Sequence, residues 1–474
     1  MPRTKAFSFE LGNAVSLFLL TFSFCLWNGS IILSDQDTYW HIVVGEWIWG
    51  HQAVPHFDQY SHTMAGAPWI AKEWLSQLFF YAAYTNAGWY GVVLFTAVIA
   101  CLSYVFLFSW LCRRVNPLVA LTMTAVSLSF SMNSLLARPQ VFFFLFLTVC
   151  VCGLASAVEA GKTPWWLAPL VALWANLHAS FPIAIVLAAA FALQAVAAAE
   201  KSARMRLGAR WALATLAAAL AMGATPYGFG PLQASFAILG DKTTDFIDEW
   251  RPVGFNLHGL YAFVYIVGSF AILAAARSGW TKAATIAGPA YMMIRHVRFF
   301  TVFGIVAPVE LATPVARRFP RFAAKNFSPN ALATNVARWV FGFACILAAL
   351  TLAFTPRPTP SAKVSPAAAL QAARRDGAAG GKVFNDYGFG GYLIFNHVKT
   401  FIDGRTELYF NGLFAAMRDA ETSANDGDFL ALLNKHQVTW ALVVHGDDGA
   451  LKLRRSNDWK LIYEDEFADV LVRK

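Results

Sequence analysis

The chain has 474 residues, 57% of them apolar and only 14% charged, with a mean hydropathy of +0.49 and a net charge of +9. One water-soluble core cannot hide that much apolar sequence, and it arrives in runs of about 18 to 22 residues, the length a helix needs to cross about 30 Å of hydrocarbon. The positive charge sits in short clusters between those runs rather than on one face, which argues against nucleic acid as a partner. The six cysteines lie in or beside apolar runs, which argues against a disulfide framework.

In chain order, Met1–Lys5 supplies a basic start, and the apolar run over 12–33 has no small-residue cleavage site after it, so it reads as a retained first helix. Residues 34–89 form a long polar loop with Asp35, Asp37, Glu46, Asp58 and Glu73 among Trp40, Trp47, Trp49, Trp69 and Trp74, a composition that suits helices lying at a membrane interface. Further spans are predicted over 90–112, 117–135, 141–158, 164–180, 182–199, 211–226, 259–276, 281–297, 299–316 and 335–355, about eleven in all. A second polar loop, 227–258, carries Asp241, Asp245, Asp248 and Glu249.

This threading puts Arg113, Arg114, Lys162, the basic group over 201–210, Arg277, Lys282 and the group over 317–325 on one side. Lys72, Arg138, Lys242, Arg251, Arg295 and Arg298 fall on the other. The positive-inside rule then sets the N-terminus inside and the C-terminus outside. Merging the spans that flank Arg295 and Arg298 would export the group over 317–325 and break that rule.

After Pro356, Pro358, Pro360 and Pro366 acids and bases balance and apolar runs shorten. Residues 1–356 therefore read as a membrane domain and 357–474 as a small extracytoplasmic α/β domain. Strands are expected at Gly391–Phe395, Thr400–Ile402, Trp440–Val444, Trp459–Tyr463 and Val470–Val472, with a helix near Asp428–His436.

The segment Ser34-Asp-Gln-Asp-Thr-Tyr-Trp-His41 follows the first span directly. A helix starting at Asp37 would put His41 one turn on, so that a carboxylate and an imidazole share a proton or orient each other. The competing account is a cap, with Ser34 at the N-cap and Asp37 beside the positive helix end. Chemistry is preferred because further polar residues fall at the same depth: Arg138 with Gln140 opening one span, His178 closing another, Arg295 and Arg298 between two more. Arginine on this side opposes the charge bias, and its planar fork suits a phosphate or diphosphate, although snorkelling to head groups accounts for any one of them singly.

Glu73 is either a second acid of that site or the polar face of an interfacial helix, and Asp58 is a further candidate lining residue. Asp35, Asp37, His41, His51, His56 and His62 match no defined metal-ligand spacing, so neither a metal nor another cofactor is expected. In the C-terminal domain, Asn385-Asp-Tyr-Gly-Phe-Gly-Gly-Tyr392 lacks the strand-to-helix context of a dinucleotide site and reads as a turn. Asp403-Gly-Arg405 with Glu407 reads as an ion-paired strand end or a pocket wall.

Together, Asp35-x-Asp37-x-x-Trp40-His41, Pro55-x-x-Asp58-x-x-Ser61-x-Thr63, Trp69-x-x-x-Glu73-Trp74-Leu75, Arg138-Pro-Gln140 and Asp403-Gly-Arg405-x-Glu407-x-Tyr409 resemble a bacterial branch of the GT-C superfamily of integral-membrane glycosyltransferases. The resemblance implies an α-helical polytopic protein of the bacterial inner membrane, working outside it. It would transfer a sugar from a polyprenyl-phosphate donor, with inversion, to a cell-envelope glycan, lipid or polymer. Asp37 would be the general base, with Asp35 a rival and His41 and Glu73 beside them. Arg138, Arg295 and Arg298 would hold the donor phosphate, and Asp58, Gln140 and His178 would line the site.

The acids here are Asp-Gln-Asp rather than adjacent, and the paired tryptophans of oligosaccharyltransferases are missing, so protein N-glycosylation is not expected. A transporter or flippase of lipid-linked glycans, or an assembly protein, is the alternative. Against it, no internal repeat is visible and ionisable residues gather at span ends rather than centres.

Overall fold

The computed structural model describes residues 2–240, 251–254, 256–409 and 412–474; Asp241, Lys242, Asp245, Asp248 and Glu249 lie outside them. Helix α1 (Pro2–Trp27) and the single turn α2 (Gly29–Ile32) lead to α3 (Asp37–His51). Next come α4 (Trp74–Cys112), α5 (Pro117–Ser131), α6 (Gln140–Glu159), α7 (Leu167–Leu177) and α8 (Ile183–Ala198). Then follow α9 (Lys201–Ala221), α10 (Gly230–Gly240), α11 (Leu257–Ala275), α12 (Trp280–Arg295), α13 (Phe300–Arg318) and α14 (Ala331–Phe354).

Each apolar run read from the sequence coincides with one of these helices. Among the described residues, five helices are long and apolar enough to cross a membrane: Phe9–Trp27, Trp74–Cys112, Gln140–Glu159, Val297–Arg318 and Ala331–Phe354. Pro117–Ser131, Leu167–Leu177, Ile183–Ala198 and Gly259–Ala275 are shorter apolar helices. The protein is thus a mostly helical, multi-pass membrane protein, and all six cysteines are free.

Local chemistry sets several boundaries. The Asn116, Asn256 and Asn330 side chains accept the backbone N–H of Val119, Gly259 and Ala333, starting α5, α11 and α14 where the first-turn amides would otherwise lack partners. Helix α4 begins at Trp74, well before the expected span, and is interrupted at Ala87 and Gly88. Gly88 has φ +60° and ψ −150°, a conformation open essentially to glycine alone, and there the helix turns into its apolar stretch. Helix α9 likewise starts earlier, at Lys201, because its basic first turns carry no break.

One buried acid departs from the expectation that ionisable groups sit only at span ends. Glu310, in the interior of α13, is fully buried and accepts bonds from Lys282 Nζ at 2.5 Å and Gln194 Nε2 at 2.6 Å. Gln194 also donates to Thr285 Oγ1, so α8, α12 and α13 share one polar knot.

The C-terminal region contains α15 (Ala367–Arg375), β1 (Val383–Asn385), α16 (Gly390–Phe395), α17 (Leu413–Thr422), α18 (Asp426–Lys435), β2 (Trp440–Val444), α19 (Asp448–Arg455), β3 (Trp459–Glu464) and β4 (Ala468–Arg473). The sheet order is β1-β2-β4-β3, with β1 parallel to β2 and the other pairs antiparallel.

Two expected strands are absent. The run Gly391–Phe395 is helical, because a short apolar run carries no period of its own and Gly390 and Gly391 let this turn lie directly on other backbone. A Cβ would meet Ile402 O at 2.5 Å from Gly390 and Gln36 O at 2.0 Å from Gly391. Thr400–Ile402 joins no sheet, and its Thr400 forms a lone bridge with Ser61.

That bridge belongs to a wider seam. Trp40, Val43, Val44, Ile48 and Trp69 of the first polar loop share one core with Phe384, Ile394, Phe401, Tyr409 and Phe429. The C-terminal region is therefore packed onto the loop rather than tethered beyond a free linker.

Candidate active site

Because successive helices reverse direction, the start of α3, the start of α6, the end of α7 and the α12–α13 junction fall at one end of the bundle. The structure gathers there most of the residues singled out from the sequence. Arg138 Nη1 lies 2.9 Å from Asp35 Oδ2 and 3.7 Å from Asp37 Oδ2, while its Nε and Nη2 donate to Gln140 Oε1 at 3.0 and 2.8 Å. Asp35 Oδ1 accepts the Asp37 backbone N–H at 2.8 Å, so both Asp35 oxygens are engaged. Asp37 Oδ1 accepts from Trp40 Nε1 at 2.9 Å, which leaves Oδ2 the less committed oxygen of the pair.

The expected Asp37–His41 partnership does not form. On α3 the indole one turn away reaches Asp37 instead, and His41 turns toward Gln77 and Glu73. Ser34 is not the cap either, since the N-cap position is Gln36, without a side-chain bond. Glu73 lies between two imidazoles: His41 Nε2 is 3.8 Å from Oε2 and His178 Nε2 is 3.7 Å from Oε1. Gln77 Nε2 approaches His41 Nδ1 at 3.3 Å, and the Ser180 N–H donates to His178 Nδ1 at 3.2 Å, so each ring presents its Nε2 to the carboxylate.

Burial raises the Asp37 pKa well above the ordinary carboxylate range, helped by Asp35 and opposed by Arg138 and the Trp40 bond. Glu73 is also raised, chiefly by burial. His41 and His178 are held well below the usual imidazole value by burial and by nearby cations, Arg138 for the first, Arg298 and then Arg138 for the second. Arg298 is thus electrostatically part of the group. Arg295, ending α12, forms no ion pair with these carboxylates among the described residues.

Lys72, Tyr387, Gly404 and Glu407 also lie against this group, and of these only Gly404 and Glu407 belong to a segment read as a possible pocket wall. Lys72 Nζ pairs with Glu407 Oε1 at 2.8 Å; burial alone would depress this lysine, but Glu407 and Glu73 outweigh it and its pKa is raised. Tyr387 is raised by burial and then by the Asp37 charge. Gly404 backs directly onto Asp37, where a Cβ would lie 1.8 Å from Oδ1 and 3.0 Å from Trp40 Nε1. The sequence signal is the Asp403-Gly-Arg405-x-Glu407 spacing, for which an ion-paired turn is preferred to a pocket wall.

That turn is held rigidly. Arg405 grips Asp403 through Nε at 2.8 Å and Nη2 at 2.7 Å and reaches Asp58 Oδ1 at 2.5 Å, with Arg405 and Asp58 side chains fully buried. Tyr409 Oη and Thr400 Oγ1 donate to Asp403 Oδ2, and Ser61 Oγ donates to Asp58 Oδ2. Asp58 therefore serves Arg405 and ties the first loop to the C-terminal region. As a metal-ligand set the acids at the bundle end fit poorly, because the Arg138 guanidinium already sits on Asp35 and Asp37.

No protein-family model matches the chain, and no curated protein matches it in sequence. Solved structures do. The archaeal oligosaccharyltransferase AglB from Archaeoglobus fulgidus, in complex with an inhibitory peptide and a dolichol-phosphate, aligns over 91% of this chain and 69% of its own, with TM-score 0.54 and 11% identity. An Archaeoglobus fulgidus oligosaccharyltransferase tethered to an acceptor peptide gives TM-score 0.56 at 11% identity, again over 91% of this chain and 69% of its own. The arabinofuranosyltransferase AftD from Mycobacteria aligns over 98% of this chain but only 40% of its own, with TM-score 0.52 and 12% identity. The chain thus shares a GT-C-like fold with this oligosaccharyltransferase and this arabinofuranosyltransferase.

Proposed function

We propose that the protein is an inverting glycosyltransferase of the bacterial inner membrane, taking a sugar from a polyprenyl-phosphate donor to a cell-envelope glycan, lipid or polymer. The reading assumes about eleven spans, with the N-terminus inside and the site and C-terminal region outside. The observation that carries it is Asp37, desolvated and with its Oδ2 held only by a 3.7 Å approach of Arg138, beside the Glu73 pair of imidazoles at one end of the bundle. The acceptor hydroxyl gives its proton to Asp37 Oδ2 as its oxygen attacks the anomeric carbon, and the bond from that carbon to the phosphate oxygen breaks.

The polyprenyl phosphate leaves with the bonding electron pair. Arg298, Arg138 and Lys72 stabilise the charge that develops there. Asp35 is the poorer base because Arg138 and the Asp37 amide occupy both its oxygens. Arginine supplies the positive charge, so the chemistry requires no resident metal.

The test uses full-length protein in nanodiscs with synthetic polyprenyl-phosphate pentoses and hexoses and an envelope fraction as acceptor. Released polyprenyl phosphate is measured with and without a chelator. Turnover should persist with the chelator and fall about 10²- to 10⁴-fold in Asp37→Asn. Undiminished turnover by that variant would remove Asp37 as the base.

A further inference from the structure

A cavity of about 450 Å³ opens on the seam between α3, the first polar loop and the C-terminal region. Its floor is Val43 and Ile394, its walls are Trp47 and Tyr60, and its rim carries Glu46, Gln59, His397 and Lys399. The volume is that of a ligand site rather than a packing void. Trp47 and His51 stack at 4.2 Å with 16° between their rings, which restrains the indole.

We infer that this cavity is a saccharide subsite that grips the acceptor glycan away from the reacting hydroxyl, an inference that rests on the transferase reading above. Three observations select the occupant. The walls are aromatic while the rim offers donors and acceptors of both signs, which matches a sugar's apolar C–H faces and its ring of hydroxyls. Glu46 faces the same opening as Lys399, so the rim has no net positive field with which to select a phosphate head group.

The cavity also shares its helix with the base. Asp37 and Trp47 stand ten residues apart on α3, about 15 Å along the axis, a separation that a few linked sugars can span. At about 100° per residue Val43, Glu46, Trp47 and Gly50 face away from Asp37, so a glycan held at Trp47 would have to curve round α3 to present a hydroxyl to Asp37, and the enzyme would favour an oligomeric acceptor over a single sugar.

Gly50 makes a clean test possible, because it lines the cavity and a Cβ added there meets no atom within 4 Å. Gly50→Phe should fill the cavity without disturbing the fold, and Trp47→Ala should remove its aromatic wall. The probes are maltotetraose, mannotetraose and an arabinofuranosyl tetrasaccharide, titrated into full-length protein in nanodiscs. Saturation-transfer NMR and tryptophan fluorescence report binding without requiring turnover.

Wild type and Asp37→Asn should bind at least one probe alike, and binding should weaken at least tenfold in Gly50→Phe and Trp47→Ala. Absence of binding by all three probes, or equal binding by wild type and Gly50→Phe, would overturn the subsite. Binding to phosphatidylglycerol vesicles that Gly50→Phe abolishes, with no saccharide binding, would reassign the cavity to lipid and also overturn it. If the saccharide binds but no donor is consumed, the subsite stands and the transferase reading fails.

Discussion

At the scale of single residues, two aspartates two positions apart differ because only one is neutralised on both oxygens. Burial raises Asp37, so lowering the pH protonates it early and the acid limb of the activity profile should lie above the ordinary carboxylate range. Arg138 lowers that pKa and Asp35 raises it. Arg138→Gln should therefore shift the limb to higher pH, and Asp35→Asn to lower pH, as kcat against pH will report. Gly404→Ala is a sharper probe, since its methyl would fall on Asp37 Oδ1. We expect kcat about tenfold lower or worse with KM nearly unchanged, because the base loses its alignment while binding groups stay in place. The sequence named these residues but not their partners: the four-residue spacing of Asp37 and His41 suggested a pair, whereas the indole of Trp40 and the carboxylate of Glu73 take those partners.

At the scale of elements, each expected apolar run coincides with a helix whose bounds lie within about five residues of it, except that α1, α4 and α9 begin earlier. Such runs are readable because hydrocarbon leaves the backbone little choice but helix. The same reading passed over Glu310, since one acid scarcely changes the mean of a long apolar window. Lys282 is 29% exposed at its side chain, so removing its partner does not strand a fully buried charge. Glu310→Ala should still cost about 3 kcal/mol, the low end for breaking a buried pair, read as a lower melting temperature in detergent. Glu310→Gln, which keeps a hydrogen-bond acceptor for Gln194 and Lys282, should cost less.

At the scale of the whole molecule, the C-terminal region is part of the site. It supplies Gly404 against Asp37, Glu407 to Lys72 and Arg405 to Asp58, and it covers Trp40 and Trp69 in a common core. Deleting residues 357–474 would expose that apolar face and unclamp the first loop. We expect loss of turnover together with greater protease sensitivity over residues 34–73, both measurable in nanodiscs. Co-expression of 357–474 as a separate chain should restore part of each, because the contacts are side-chain bonds and apolar packing rather than chain continuity.

The sequence by itself determined the membrane class, the helix placements and the end of the bundle where acids and arginines meet. Each of these follows from composition, apolar run length and charge distribution, which are properties of segments and need no knowledge of neighbours. Tertiary structure alone decided which carboxylate keeps the less committed oxygen, that Glu73 lies between two histidines, and that a glycine more than three hundred residues away shapes the base. Those outcomes are contacts between segments remote in the chain, set by how helices and turns pack, and no local pattern encodes them.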